Sequence, residues 1–136
     1  ECLFIENKGR ANPMAVTVTN QSNPLGARLV QDTAATNSAV DNTTGAAGTL
    51  YMVEIDNTGL AAIVYFKLAD ATSATAGTTA ASIVLKCAAS VKRSYVFPEG
   101  MAFSSGFSHW CVTAAAEDST AAPSTPPTVR YVTSAS

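Results

Sequence analysis

Charged side chains are scarce in this chain of 136 residues. They make up 13% of it, about half the share of roughly 25% that is usual in soluble proteins. The 8 Lys and Arg residues against 10 Asp and Glu residues give a net charge of -2, so no basic field attracts nucleic acid or an anionic membrane. A surface with few ions loses little hydration when another protein covers it. We therefore expect a protein partner, and neither nucleic acid nor a membrane.

Residues that commonly carry catalysis are few as well. His109 is the only histidine; it lies in a segment of strand character, and no Gly-x-Ser-x-Gly elbow is near it. We expect His109 to be a rim or interface residue with a satisfied hydrogen bond, and a Ser-His-Asp site is the less favoured alternative. The acidic residues are scattered, and we interpret them as solvated loop and turn residues: Asp32, Asp41, Asp56, Asp70, Glu99, Glu117 and Asp118. The sequence therefore predicts a protein that is not an enzyme and has no cofactor.

The chain has three cysteines, and none of them forms a Cys-x-x-Cys pair. Cys2, Cys87 and Cys111 lie far apart in the sequence, so a metal site is not expected. Cys87 and Cys111 both fall in predicted strands, where we expect them to be small buried apolar residues. A disulfide between these two is the alternative, and it requires an oxidising environment.

Long apolar runs are also missing. The longest, from Leu60 to Phe66, has the length of a strand, whereas about 18 to 20 residues are needed to span a bilayer. The first residues have neither a basic flank nor a long apolar stretch, so they are not typical of a signal peptide. Because the chain begins with Glu1, either a preceding segment was removed or the natural start is Met14, with residues 1–13 as a leader or a reading-frame extension.

The sequence does contain many short segments rich in β-branched and aromatic residues, separated by Gly, Pro, Asn and Asp. This pattern predicts strands. We place them at residues 2–6, 15–19, 27–32, 49–56, 61–68, 82–88, 91–97, 108–113 and 129–133. The segments at 49–56 and 61–68 flank a short turn and are predicted to form a hairpin. No window repeats apolar residues convincingly at helical spacing.

These segments predict an all-β protein built as a single β-sandwich, of Greek-key or jelly-roll type. We expect residues 1–26 to form an extended N-terminal arm and the first strands, and residues 27–136 to form the sandwich domain. Edge strands stay open in such folds, so a companion chain or the N-terminal arm is a candidate to cover them.

The basic and aromatic residues each have two interpretations. Lys86, Lys92 and Arg93 form the only basic cluster in the sequence. The favoured interpretation is an exposed sheet edge whose charges discourage aggregation, and docking on an acidic protein is the alternative.

The aromatic share is only 7%. Most aromatic residues in the strands alternate with apolar neighbours, so we expect core residues or interface anchors before a sugar-binding face: Tyr51, Tyr65, Tyr95, Trp110 and Tyr131.

The stretch from residues 37–42 (NSAVDN) through residues 50–58 (LYMVEIDNT) resembles small virion structural proteins of tailed bacteriophages. So does the pairing of residues 64–68 (VYFKL) with residues 91–100 (VKRSYVFPEG). The resemblance covers about residues 27–133 and is compositional; residues 1–13 depart from it. It implies a β-sandwich on a virus particle, either a head decoration (cement) protein or a neck or fibre component, with no catalytic residues. Decoration proteins of this kind are commonly trimers on the capsid lattice.

Composition and resemblance together lead to one favoured function. We expect a non-catalytic decoration protein on the outer capsid surface of a virion, which binds the major capsid protein or another virion protein and stabilises the lattice. It is expected to be a homo-oligomer, with a trimer favoured. The alternative is a neck or fibre component, or a receptor- or glycan-binding β-sandwich module. The candidate protein-contact residues are Phe4, Ile5, Lys92, Arg93 and Trp110.

Overall fold

The computed structural model describes residues 15–20 and 28–134. Within these ranges the regular structure consists of eight strands without a helix, so no helix there is long and apolar enough to cross a membrane. In chain order the strands are β1 (Val16–Asn20), β2 (Arg28–Asp32), β3 (Gly48–Asp56), β4 (Val64–Asp70), β5 (Ile83–Cys87), β6 (Lys92–Phe103), β7 (Phe107–Val112) and β8 (Thr128–Thr133). The predicted all-β fold is confirmed, whereas the expected strand at residues 2–6 lies outside the described residues.

The strands form two antiparallel sheets that enclose one main core. The first sheet has five strands in the order β1-β2-β8-β3-β6, and the second has three in the order β5-β4-β7. β1, from the predicted N-terminal part, pairs with β2 and so belongs to the sandwich. The edge strands β5 and β6 lie on the same side of the molecule, because the Tyr95 hydroxyl of β6 donates a hydrogen bond to the Lys86 carbonyl of β5.

Alternation along the strands explains the core. In β3, Val53 and Ile55 are completely buried, while Glu54 and Asp56 occupy the other face of the sheet. Leu50 of β3 also lies in the core, before the register shift between Leu50 and Met52. Alternation in the other strands contributes the remaining large apolar side chains of the core: Val30, Val64, Phe66, Leu68, Phe103, Phe107, Val129 and Tyr131. Burying a side chain of this size contributes about 1.5–3 kcal/mol, so this core is the main source of stability.

The predicted hairpin between the third and fourth strands is wrong. β3 pairs with β6 and β8, whereas β4 pairs with β5 and β7, so the connection passes from one sheet to the other. This connection is anchored in the protein: Leu60 is buried, and the Asn57 side-chain amide donates to the carbonyls of Ala62 at 2.8 Å and Ala88 at 3.0 Å. The buried corner packs β3 and β4 face to face instead of side by side.

A second, smaller core covers the outer face of the three-stranded sheet. Ala69, Trp110 and Val112 point away from the main core and are buried there by small loop residues, namely Ala39, Ala71, Ala74, Ala76 and Ala81. Hydrogen bonds join the loops to one another, from Asn37 Nδ2 to the Thr120 carbonyl (2.8 Å) and from the Ala74 amide to Asp41 Oδ1 (2.8 Å). The low-complexity loops around residues 33–47, 71–82 and 113–127 therefore form a packed layer, which we call the loop layer.

The long edge strand β6 has a bulge in its middle. Residues 92–96 pair with residues 52–56 of β3, and residues 101–103 pair with residues 48–50, so residues 97–100 have no residue directly opposite. Gly100 has a φ of +77°, and an added Cβ would lie 2.3 Å from Thr49 Cγ2. Only glycine fits this backbone position, which ends the regular edge of the strand.

Candidate functional site

A chain of hydrogen-bonded polar side chains crosses the main core between the two sheets. His109 of β7 is 0% exposed; its Nε2 lies 2.8 Å from Asp32 Oδ2 of β2, and its Nδ1 lies 3.0 Å from the Tyr131 hydroxyl of β8. That hydroxyl lies 2.6 Å from Thr43 Oγ1, in the loop between β2 and β3. Asp32 and Thr43 are 2% and 7% exposed, so this series of hydrogen bonds is shielded from water. We call these four residues the core polar chain.

Strand alternation and one loop contact position these groups. Asp32 follows Val30 on the inward face of β2, and His109 lies between the inward residues Phe107 and Cys111 of β7. The loop runs beside β7, where the Thr43 amide donates to the Phe107 carbonyl at 2.9 Å. The core polar chain therefore joins three strands from both sheets and one loop.

Two arrangements of hydrogen atoms satisfy these contacts. In the first, neutral His109 donates from Nε2 to Asp32 and accepts at Nδ1 from Tyr131, whose oxygen accepts from Thr43. In the second, a positively charged His109 donates from both nitrogens, Tyr131 donates to Thr43, and Thr43 donates to the Phe107 carbonyl at 3.2 Å. Burial raises the pKa of the Tyr131 phenol, so this group keeps its proton at neutral pH in either arrangement.

The core polar chain contains two members of a catalytic triad but no accessible nucleophile. Ser108, beside His109 in sequence, faces the opposite side of the sheet, where its hydroxyl donates to the Ala71 carbonyl at 2.8 Å. Both ring nitrogens of His109 are already hydrogen-bonded inside the core. The arrangement suits a structural role, because it satisfies buried polar groups and ties the two sheets together.

Two expectations about this region are corrected by the structure. The predicted hydrogen bond of His109 is confirmed, but its rim position is wrong because the side chain is 0% exposed. Asp32 is a buried partner of His109 instead of a solvated turn residue. Val30 and Asp32 are two residues apart on β2 and so share one face of the strand, which was a signal in the sequence that the Asp32 carboxylate points inward. The sequence did not reveal which residue this carboxylate would meet.

The two described cysteines are free thiols, and both are buried. Burial raises the pKa of Cys111 to about 12 and also raises that of Cys87. Neither thiol is a nucleophile at neutral pH. Their predicted role as small buried residues is confirmed.

Trp110 does not lie on the surface, where a contact residue is expected. Its ring is 0% exposed and packs under the loop layer with Ala69, Ala74 and Val112. The sequence allows a core position for Trp110 but does not reveal what covers the ring, because alanine-rich loops are not normally expected to cover a sheet. As placed, the ring offers no face to a protein or a sugar.

The basic residues lie at the two sheet edges, as the favoured interpretation expected. Lys86 on β5 and Lys92 and Arg93 on β6 are exposed. Lys92 Nζ lies 3.8 Å from Asp56 Oδ2, and the Arg93 guanidinium lies 5.6 Å from the centre of the Tyr95 ring. The other two candidate contacts, Phe4 and Ile5, lie outside the described residues.

Asp70 closes the loop between β6 and β7. Its carboxylate accepts hydrogen bonds from the Ser104 amide (2.9 Å) and hydroxyl (3.0 Å) and from the amides of Ser105 (2.7 Å) and Gly106 (3.3 Å). Burial raises the pKa of Asp70, but these hydrogen bonds together outweigh burial and hold the pKa below its ordinary value. The ionised carboxylate therefore holds this loop more strongly than the protonated carboxyl would.

Residues 15–20 and 28–134 contain no group of three or more His, Cys, Asp or Glu placed to hold a metal ion. In comparisons with known proteins, the chain matches no family model, no curated protein and no solved structure. Function therefore has to follow from the geometry described above.

Proposed function

We propose that this chain is a non-catalytic structural protein of a virion, a decoration protein that binds the major capsid lattice from outside and stabilises it. The observation that carries the proposal is the loop layer, which is packed and nearly uncharged. It lies over the three-stranded sheet and is held by the smaller core around Trp110.

The composition of the loop layer suits a protein contact. Residues 113–127 expose mostly Ala, Thr, Ser and Pro, and their charged residues are Glu117 and Asp118. Covering such a surface removes few ions from water, so little desolvation opposes binding. The loops are already packed, so little conformational entropy is lost when a partner binds. A weak contact of this kind gains strength when it is repeated across a lattice.

The core polar chain favours a structural role over catalysis. His109 and Asp32 are buried, and the described chain places no nucleophile beside them. A glycan-binding module gains no support from Trp110, because stacking on a sugar needs an exposed ring and this ring is covered. These two points leave binding by surface contact as the favoured function.

The first test is the copy number of the chain in purified particles from its source. Quantitative mass spectrometry would compare it with the most abundant shell protein. A ratio near one per shell subunit, or a simple fraction set by the lattice, supports decoration. A handful of copies per particle would favour the neck or fibre component, and absence from particles would refute the proposal.

A second test locates the contact surface. Ala115 and Ala122 are exposed in the loop layer, whereas Thr17 is exposed on β1, on the opposite sheet. Ala115→Arg combined with Ala122→Arg should weaken binding to particles stripped of the protein by at least tenfold, because it adds size and charge to the contact. Thr17→Arg is the matched control and should bind as the unmodified chain does. Equal binding by all three proteins would exclude the loop layer as the contact surface.

A further inference from the structure

One side of β6 is open in the described part of the chain. Residues 92–96 pair with β3 on one side only, since β6 is the last strand of its sheet. The side chains of Lys92, Arg93 and Ser94 are exposed, and Val96 is 58% exposed, more than any other large hydrophobic residue described. The neighbouring edge of β5 is partly closed, because Tyr95 bonds to one of its carbonyls. A regular open edge of this kind accepts another strand.

The sequence contains a segment that matches this edge in length and charge. Residues 2–6 (CLFIE) have strand composition and equal in number the regular part of β6 at residues 92–96. Glu1 and Glu6 bracket its apolar residues, whereas the open edge begins with Lys92 and Arg93. Opposite charges on neighbouring strands are favourable, and like charges are not.

We propose that residues 2–6 of one copy of the chain add to β6 of a second copy as an antiparallel strand. The register that fits best places Cys2 opposite Val96 and Glu6 opposite Lys92. Leu3 then falls opposite Tyr95 and Ile5 opposite Arg93, on the face of β6 whose Tyr95 and Phe97 already pack against the core. A parallel strand would instead place Glu6 beside Val96, where an acidic side chain has no partner.

The geometry of the sheet favours a second copy over the chain's own β6. β1 and β6 are opposite edges of the five-stranded sheet, so the segment would have to cross about 24 Å, at roughly 4.8 Å per strand, to reach its own open edge. Residues 7–15 span at most about 30 Å when fully extended, which leaves the tether little conformational freedom. A neighbouring copy has no such constraint. Head-to-tail addition of this kind gives a ring where the rotation between copies closes, and an open filament where it does not. The inference does not rest on the virion role, because the partner is the chain itself.

Disulfide trapping tests the register directly. One chain carries Val96→Cys together with Cys2→Ser, and the other keeps its natural Cys2; Cys87 and Cys111 are buried and remain unreactive. Mixing the two under mild oxidation should give a disulfide-linked heterodimer on a non-reducing gel. Val84→Cys on β5, at a site that is 40% exposed, is the matched control and should give only background. No trapping at position 96, or equal trapping at both positions, would refute the proposal.

A single chain that contains both Cys2 and Val96→Cys shows whether residues 2–6 add to β6 of another copy or to β6 of their own copy. Dimers or larger linked species are expected. A disulfide formed only within one chain would show that the segment reaches its own β6, and it would overturn the inference.

Charge exchange tests the ion pair by sedimentation velocity. The pair in question is Glu6 of one copy with Lys92 of the other. Lys92→Glu should lower the association constant about fivefold, which is the upper end for an exposed ion pair. Glu6→Lys in the same chain should restore the association constant. Lys86→Glu on β5 changes the net charge equally and should leave association unchanged. Failure of the rescue would refute the register. A chain that stays monomeric at all concentrations but still binds particles would refute this inference and leave the decoration role intact.

Discussion

Replacing Asp32 by alanine removes the acceptor at one end of the core polar chain. His109 Nε2, 2.8 Å from the carboxylate, then loses its partner in a site that is shielded from solvent, and the Ala34 amide loses its bond at 3.0 Å as well. Leaving a buried hydrogen-bonding group without its partner costs about 1–3 kcal/mol, and more where the group is charged. For a chain of this size a loss of about 1–3 kcal/mol corresponds to a fall in Tm of about 4–12 °C.

Urea unfolding followed by the fluorescence of Trp110 is the assay. Trp110 is the only tryptophan and is fully buried, so its emission reports the loss of packing around β7. Asp32→Asn is the companion variant, because it keeps the volume of the side chain and removes only its charge. It should lose less stability than Asp32→Ala.

Asp118→Ala is the control, because it removes a carboxylate from an exposed loop position. A surface substitution of this kind should change the free energy of unfolding by less than about 0.5 kcal/mol. If Asp32→Ala lost no more stability than Asp118→Ala, the reasoning that His109 depends on a buried acceptor would be refuted.

Three further predictions concern other parts of the fold. Burial raises the pKa of Cys111 to about 12, so in a Cys2→Ser chain this thiol should not react with a thiol reagent at pH 8 until urea unfolds the protein. Rapid reaction in native buffer would contradict the burial of Cys111. The folded pKa of Asp70 lies below its ordinary value of 3.8, so the stability that its carboxylate gives to the fold should be complete well above pH 3.8 and should be lost as the pH falls through the folded pKa. The difference in unfolding free energy between the unmodified chain and Asp70→Asn should therefore shrink in acid. A difference that stayed constant with pH would be inconsistent with this reasoning. Gly100→Ala should lower the unfolding free energy by at least about 1 kcal/mol, since φ is +77° and the new Cβ would meet Thr49 at 2.3 Å; unchanged urea unfolding would contradict the strained position.

Local patterns predicted most strand positions well. β3 was placed within one residue of its observed bounds because Val53 and Ile55 alternate with Glu54 and Asp56, a pattern that needs no tertiary information. The same reasoning fails for the connection after β3, where the short turn predicts a hairpin that the structure does not contain. Whether a turn joins neighbours in one sheet or crosses between sheets depends on the burial of residues such as Asn57 and Leu60.

The candidate site was less accessible to sequence reasoning. His109 was expected to have a hydrogen-bond partner, but Asp32 lies 77 residues away and no spacing rule connects the two. For Trp110 the sequence left a core position and a contact position open, because the alanine-rich loops that cover the ring have no hydrophobic period. In both cases the missing information was contact between elements distant in sequence.

The sequence by itself determined the strand character of the segments, the low charge of the surface and the lack of any metal-binding spacing, because these properties depend on residue identity and on a period of two along the chain. The tertiary structure alone decided which sheet each strand joins, the burial of His109 against Asp32 and the cover over Trp110. It also decided that no strand of the described residues pairs with the outer side of β6. The physical reason is that antiparallel strands of similar composition can pair in many orders, and the order that prevails is the one that buries the most apolar surface and satisfies the buried polar groups together.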